Sequence, residues 1–246
     1  MELDSAQVSL IGHRQDNQDR AEVLFGDESQ LAIVADGMGG HARGDLAAET
    51  AVASMINSFR QLRQNPLPPE KFFKMALGTA HEEVLALGAG MRPEIRPGTI
   101  IVCALVTANQ LCWSHIGDSR AYHLRNGRVI ARTQDQSVVG ELLAAGEITT
   151  AQALIHPERH MVQYCLGVDE NTPPIPVSEP SKLKAGDIVL LCSDGLWSQL
   201  GEAYIVERLS QADDLQHALQ ALAEDAVRGG HPQSDNVTAV AFRALD

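Results

Sequence analysis

Two short apolar runs near the start of the chain, residues 8–11 and 31–35, have the length and the polar flanks of core strands. The first runs into Gly12-His13-Arg14-Gln15-Asp16-Asn17-Gln18-Asp19, and the second stops at Asp36-Gly37-Met38-Gly39-Gly40-His41. The period then lengthens, and Val52, Met55, Ile56 and Phe59 recur on one face of a helix predicted over 45–59. A proline-rich turn at 66–69 separates it from a second helix over 70–87, whose inner stripe includes Phe73, Leu77, Ala80 and Val84. The two helices are expected to pack on the same side of a sheet.

Residues 100–107 and 111–116 predict a hairpin closed by Ala108-Asn109-Gln110, and residues 121–125 and 128–131 predict another around Asn126-Gly127. Successive hairpins point to antiparallel sheets and away from a Rossmann arrangement. From Gln134 to Pro180 the pattern weakens into a short helix at 138–145 and a polar, proline-bearing stretch. Such an excursion over the surface is usually functional or mobile. A strand at 188–192, helices at 202–209 and 214–227, and a strand at 237–242 complete the series. No stretch has the composition of a linker, so residues 1–246 read as a single domain.

Hydrophobic residues make up 44% of the 246, enough to build a core and to set disorder aside. Nineteen basic against 32 acidic residues give a net charge of -13, which disfavours a nucleic-acid partner. The same surplus means that a site handling phosphate works against its own protein's field, and bound divalent cations are a direct remedy. The first four residues are acidic where a signal peptide is basic, and no apolar run approaches the roughly 20 residues that span a bilayer. No membrane insertion and a cytoplasmic location are therefore expected. Cys103, Cys112, Cys165 and Cys192 lack close spacing and read as free thiols in a reducing compartment.

Three junctions share one form: Ala35-Asp36-Gly37, Ile116-Gly117-Asp118 and Ser193-Asp194-Gly195. In each, a core strand delivers a carboxylate beside a glycine, and Asp235-Asn236 stands just before the last strand. Taken singly, an Asp-Gly pair is a turn more often than a ligand. Several carboxylates converging without basic partners repel one another, so a cation is the natural occupant. Oxygen-only ligation suits Mg²⁺ or Mn²⁺, and no Cys/His cluster offers itself to zinc. The turn after Asp36 is neither a Walker loop, lacking Lys-Ser/Thr, nor a dinucleotide fingerprint.

Arg14-Gln15-Asp16-Asn17-Gln18-Asp19, Asp36-Gly37-Met38-Gly39-Gly40-His41, Gly98-Thr99, Gly117-Asp118-Ser119-Arg120-Ala121-Tyr122, Ser193-Asp194-Gly195-Leu196 and Asp235-Asn236-Val237-Thr238 together resemble the ordered motifs of the metal-dependent protein phosphatases, the protein phosphatase 2C family. The resemblance covers nearly the whole chain. It implies an α+β, four-layer sandwich of two antiparallel sheets flanked on both faces by helices, with metals at one end between the sheets. It also implies hydrolysis of protein phosphoserine and phosphothreonine by a metal-bridged hydroxide, with two Mn²⁺ or Mg²⁺ ions in the core site. By motif position Asp36 bridges both metals, the Gly37 carbonyl meets one, Asp194 and Asp235 complete the other, and Asp19 acts through or near metal-bound water. Asp118 with Asp194 resembles the ligand set of a third, weaker metal in bacterial members.

Arg14 is the implied phosphate binder, since a planar guanidinium offers two phosphoryl oxygens a fork. Without the motif it reads as a surface arginine at a strand end. His41 divides between general acid for the leaving oxygen and stabiliser of the glycine-rich turn. The implied partners are phosphorylated proteins, including a Ser/Thr kinase or its targets, and the implied state is a monomer. No cysteine is followed six positions later by Arg, so the loop of cysteine phosphatases is absent.

Departures from the family concentrate around a flap subregion at about 138–165. Gln136 stands where the family commonly has His, His160 where it has Asn, and Tyr164 where it has Arg. They bear on substrate preference more than on catalysis. One competing reading is a non-catalytic member that keeps the sandwich and binds a signalling protein, marked by lost metal ligands; Asp36, Asp194 and Asp235 are all present. Another is a calcineurin-like metallohydrolase, whose Gly-Asp-x-His-Gly and Gly-Asn-His-Glu signatures the chain lacks.

Overall fold

The structure is a computed structural model that describes residues 2–26, 28–38 and 43–245, apart from the side chain of Leu154. Its strands are β1 (Leu3–Leu10), β2 (Asp19–Phe25), β3 (Ser29–Met38), β4 (Gly98–Thr107), β5 (Gln110–Ile116), β6 (Arg120–Arg125), β7 (Arg128–Arg132), β8 (Ser181–Lys182), β9 (Ile188–Cys192) and β10 (Val237–Ala244). Its helices are α1 (Gly44–Gln64), α2 (Pro69–Leu87), α3 (Val138–Ala144), α4 (Thr150–Leu154), α5 (Asp194–Trp197), α6 (Glu202–Ser210) and α7 (Leu215–Gly229).

The strands form two five-stranded sheets, ordered β1-β10-β9-β6-β7 and β2-β3-β4-β5-β8, with antiparallel pairing throughout. Alternation along single strands builds the layers. On β3, Leu31, Ile33 and Ala35 face α1 and α2, while Ala32 and Val34 face the other sheet. On β10, Val237, Ala239 and Ala241 face α6 and α7, while Val240 and Phe242 pack between the sheets. Both faces of these strands are covered, which is why they read as continuous apolar runs and not as alternating ones. The result is the expected four-layer α+β sandwich.

The helices are held by the stripes that the spacing predicts. Met55 and Phe59 of α1 and Phe73, Leu77 and Val84 of α2 are buried in one cluster, each large side chain contributing about 1.5–3 kcal/mol. Both hairpins close through two residues with positive φ, Ala108-Asn109 and Asn126-Gly127. That backbone matches the strand twist. Among the described residues no helix is long and apolar enough to cross a membrane.

Besides the short β8 and α5, which the sequence reading lacks, four elements depart from it. β1 begins at Leu3 and ends at Leu10. β2 was not apparent as a strand, because it is an edge strand whose residues are mostly half-buried and whose sequence, Asp-Arg-Ala-Glu-Val-Leu-Phe, lacks clean alternation. β3 runs on to Met38, so Asp36 lies within the ladder and not beyond its end. The polar excursion holds a further short helix, α4, started by a Thr149/Gln152 capping box.

The β8–β9 connection is fixed to β6 by a buried ion network. Asp187 is 1% exposed and accepts hydrogen bonds from Arg125 Nε and Nη2 at 2.7 and 2.6 Å and from the Lys184 amide at 2.9 Å. His123 Nε2 lies 2.8 Å from the same carboxylate. Burial alone pushes the Asp187 carboxyl up, but these partners outweigh it and hold it down at about 2. A carboxyl depressed on folding stabilises fully above its ordinary range and loses that contribution as pH falls towards its folded value. Asp187→Asn is expected to lower unfolding free energy at pH 7 by about 2–4 kcal/mol. Denaturant titrations from pH 7 to 2 check this, and the gap between the two proteins should narrow between pH 4 and pH 2.

Candidate active site

The candidate residues gather at one end of the sandwich. Asp19 opens β2, Asp36 lies near the end of β3, and the two are direct cross-strand partners. Like charges placed directly opposite on neighbouring strands are destabilising by themselves. From the other sheet, Asp194 follows the end of β9 as the first residue of α5, and Asp235 stands just before β10. Asp118 occupies the crossing where the chain leaves β5 of one sheet and enters β6 of the other.

Burial and mutual repulsion set the electrostatics. Burial pushes Asp36 well above the usual carboxylate range, and the charges of Asp19, Asp194, Asp118 and Asp235 add to it. Asp194 is raised by burial and then by Asp118, Asp235 and Asp19, with Arg14 opposing. Asp19 is 3% exposed; burial raises it to about 6, although hydrogen bonds from Thr238 and Ser193 pull it back. Asp118, 5% exposed, rises to about 7 through burial and the charge of Asp135, against Arg120.

Asp19, Asp36, Asp118, Asp194 and Asp235 thus share one electrostatic basin. Among the described residues, however, no three acidic, His or Cys side chains stand in an arrangement that holds an ion as they are. The donor chemistry fits a hard divalent cation: oxygen ligands only, crowded together, their mutual repulsion offset only in part by Arg14 and Arg120.

Local packing explains several motif residues. Gly37 and Gly44 touch through their backbones, and a Cβ at Gly37 would run into the Gly44 carbonyl. This folds α1 back on the end of β3. His41, proposed as acid or turn stabiliser, lies outside the described residues. Thr99 Oγ1 donates to the Asp36 carbonyl at 2.8 Å. Arg14 has a side chain 57% exposed and donates through Nη2 to Asp235 Oδ2 at 2.7 Å. The guanidinium therefore sits at the rim of the basin, held by one of its carboxylates.

A family model described as protein phosphatase 2C matches residues 7–229. The chain belongs to the protein phosphatase 2C family. The serine/threonine protein phosphatase PstP of Mycobacterium tuberculosis is 33% identical over 249 residues, covering 98% of this chain and 46% of PstP. The chain thus spans about half the length of that relative. A solved structure of the S. agalactiae serine/threonine phosphatase aligns with a TM-score of 0.89 at 27% identity, covering 100% of both chains. The catalytic domain of PstP, solved in complex with 2 manganese ions, aligns at 0.79 with 32% identity, covering 99% of each.

The structure also shows how this protein phosphatase 2C member accommodates its departures from the family pattern. Gln136 clamps the crossing beside Asp118: its side-chain Oε1 accepts from the Gly117 amide at 2.8 Å, and its backbone N–H donates to the Gly117 carbonyl at 2.9 Å. The segment from 138 onward closes next to it through the Ser137–Val162 bridge. Arg120 forms a fork with both oxygens of Asp135, at 2.8 and 2.6 Å, and lies 3.5 Å over the Trp197 ring. Trp197 Nε1 donates to the Asp118 carbonyl at 3.1 Å. His160 and Tyr164, in the segment after α4, are both exposed.

Two residues with no assigned role in the sequence reading hold the site together. Ser193 Oγ donates to Asp19 Oδ2 at 2.9 Å and accepts from the Thr238 amide at 3.1 Å, tying the edge strand of one sheet to the centre of the other. Asn236, 6% exposed, donates through Nδ2 to the carbonyls of Ile11 and Asp16 at 2.8 and 3.1 Å. Its Oδ1 accepts from the Gln18 amide at 2.9 Å. One side chain thus fixes both stems of the turn that carries Arg14. Replacing Asn236 by Ala removes the acceptor of the Gln18 amide, and hydrogen exchange read by mass spectrometry should speed up about tenfold over residues 11–18. Unchanged exchange there would contradict the assignment.

Proposed function

We propose that this chain is a metal-dependent protein-serine/threonine phosphatase that hydrolyses phosphoserine and phosphothreonine monoesters on proteins and opposes a bacterial Ser/Thr kinase. The observation that carries the reading is the buried set of carboxylates, with Asp19 facing Asp36 across a ladder and Arg14 at the rim. Membership of the protein phosphatase 2C family and a relative that binds 2 manganese ions support it. The four cysteines are free, in keeping with the reducing, cytoplasmic setting proposed for it.

Asp36, the Gly37 carbonyl, Asp194 and Asp235 are the residues assigned to two Mn²⁺ or Mg²⁺ ions, and Asp118 with Asp194 to a third. When bound, the ions would supply Lewis acidity, which lowers the pKa of water so that it can attack phosphorus as a deprotonated nucleophile, and would offset the charge of the phosphoryl oxygens. The net reaction adds water across the phosphorus–oxygen ester bond and releases inorganic phosphate and the side-chain hydroxyl.

The chain's own groups position and discriminate. Arg14 presents a fork to two phosphoryl oxygens and exchanges its Asp235 contact for the substrate. Asp19, oriented by the Ser193 hydroxyl, accepts a hydrogen bond from water entering the basin. His41 is the candidate donor to the leaving oxygen. The flap, residues 138–165, borders the cleft and selects among phosphoproteins.

Turnover of a phosphothreonine peptide with Mn²⁺ or Mg²⁺, and none in excess chelator, is the expected result. Asp36→Asn should lower kcat at least about a hundredfold. Arg14→Ala should lower kcat/KM about tenfold to a hundredfold, with Lys restoring only part because it lacks the fork. Full activity in chelator, or an unimpaired Asp36→Asn, would defeat the reading.

A further inference from the structure

The turn before Arg14 carries a second group that the phosphatase chemistry leaves unused. His13 Nδ1 lies 2.7 Å from Ser234 Oγ, and the His13 amide donates to the Ser234 carbonyl at 3.1 Å. Arg14, the next residue, reaches Asp235, the next residue on the facing segment. Two consecutive residues of one segment therefore pair with two consecutive residues of the other. The His13 ring and the Arg14 guanidinium are thus anchored at adjacent positions of the same facing segment.

His231 completes the arrangement. Its ring packs edge-on against that of His13, with centroids 5.0 Å apart and planes at 84°. Both histidines are exposed, whereas Ser234 beneath them is 1% exposed. Since Ser234 takes Nδ1 of His13, Nε2 lies on the opposite side of that ring. The His231 ring has no hydrogen-bond partner among the described residues. Asn236, His13 and Arg14 already anchor the turn through their own hydrogen bonds, and the His231 imidazole adds none to it. Two exposed imidazoles beside the Arg14–Asp235 pair add ring N–H donors to a chain of net charge -13.

We propose that His13 and His231 form an accessory anion subsite beside Arg14, which takes a second acidic group on a residue close to the phosphorylated one. The inference rests on the phosphatase reading, because Arg14 must hold the scissile phosphate for the subsite to lie next to it. Imidazole N–H groups donate to phosphate and to carboxylate oxygens alike, so the shared chemistry is an anionic side chain. Neighbouring residues place the two binding groups about 3.8 Å apart at their Cα atoms. In an extended peptide, at about 3.3–3.6 Å per residue, the second acid then falls within about two residues of the phosphothreonine.

The test is a set of phosphothreonine peptides, assayed with Mn²⁺, that differ only two positions from the phosphorylated residue: a second phosphothreonine, Glu or Ala. The wild-type protein should show kcat/KM about tenfold higher for an acid-flanked peptide than for the Ala-flanked one. His231→Ala, and separately His13→Gln, which keeps a hydrogen-bonding side chain over Ser234, should bring that ratio close to one. A gain with both acids, or with one of them, that either variant brings close to one supports the subsite and names its source as any anion, phosphate or carboxylate. Turnover of all peptides with a wild-type ratio near one, or a high ratio unmoved by both variants, overturns the inference and leaves the phosphatase reading intact. No turnover of any peptide overturns both.

Discussion

The fold is organised around one unfavourable arrangement, the burial of like charges. Asp19 and Asp36 face each other across an antiparallel ladder, and Asp118, Asp194 and Asp235 add their charge from the facing sheet and from the crossing between the sheets. Holding Asp19 at about 6 and Asp118 at about 7 means that ionising each in the folded chain costs several kcal/mol relative to water. Stability from the rest of the molecule offsets that cost. The apolar layers between and outside the sheets supply it, and they also keep the strand ends from relaxing apart.

Rigid support is the second consequence. Ser193 joins Asp19 to the sheet that carries Asp194 and Asp235, and Asn236 joins the Arg14 turn to the same sheet. The Arg120–Asp135 fork, stacked on Trp197, fixes the crossing at Asp118 and the start of the segment that leads to the flap. Asp135 has a double role here, since it neutralises Arg120 while raising Asp118. The site and the start of the segment after Ser137 are therefore parts of one hydrogen-bonded frame, and Gln136 belongs to it.

Much of this was legible in the sequence, for a physical reason. Strands covered on both faces leave continuous apolar runs, so the point where each run gives way to Asp and Gly marks the end of a layer, and four carboxylates were found that way. The helices α1, α2 and α7 were legible from their stripes. What escaped depends on long-range pairing. β2 is an edge strand without alternation, so the opposition of Asp19 and Asp36 was hidden until the register was seen. The role of Asn236 was hidden because its partners lie 218, 220 and 225 residues away along the chain. Family motifs named the carboxylates, and the packing shows why each is held where it is.

The central claim is that this basin is built to be neutralised by divalent cations. Calorimetric titration of the chelator-treated protein with Mn²⁺, alongside Asp36→Asn, measures it most directly. The account predicts binding of at least two ions per chain, with heat largely lost in Asp36→Asn, because that side chain lies within the field of all the other carboxylates. Absence of binding by the wild-type protein, or the same isotherm for both proteins, would contradict it.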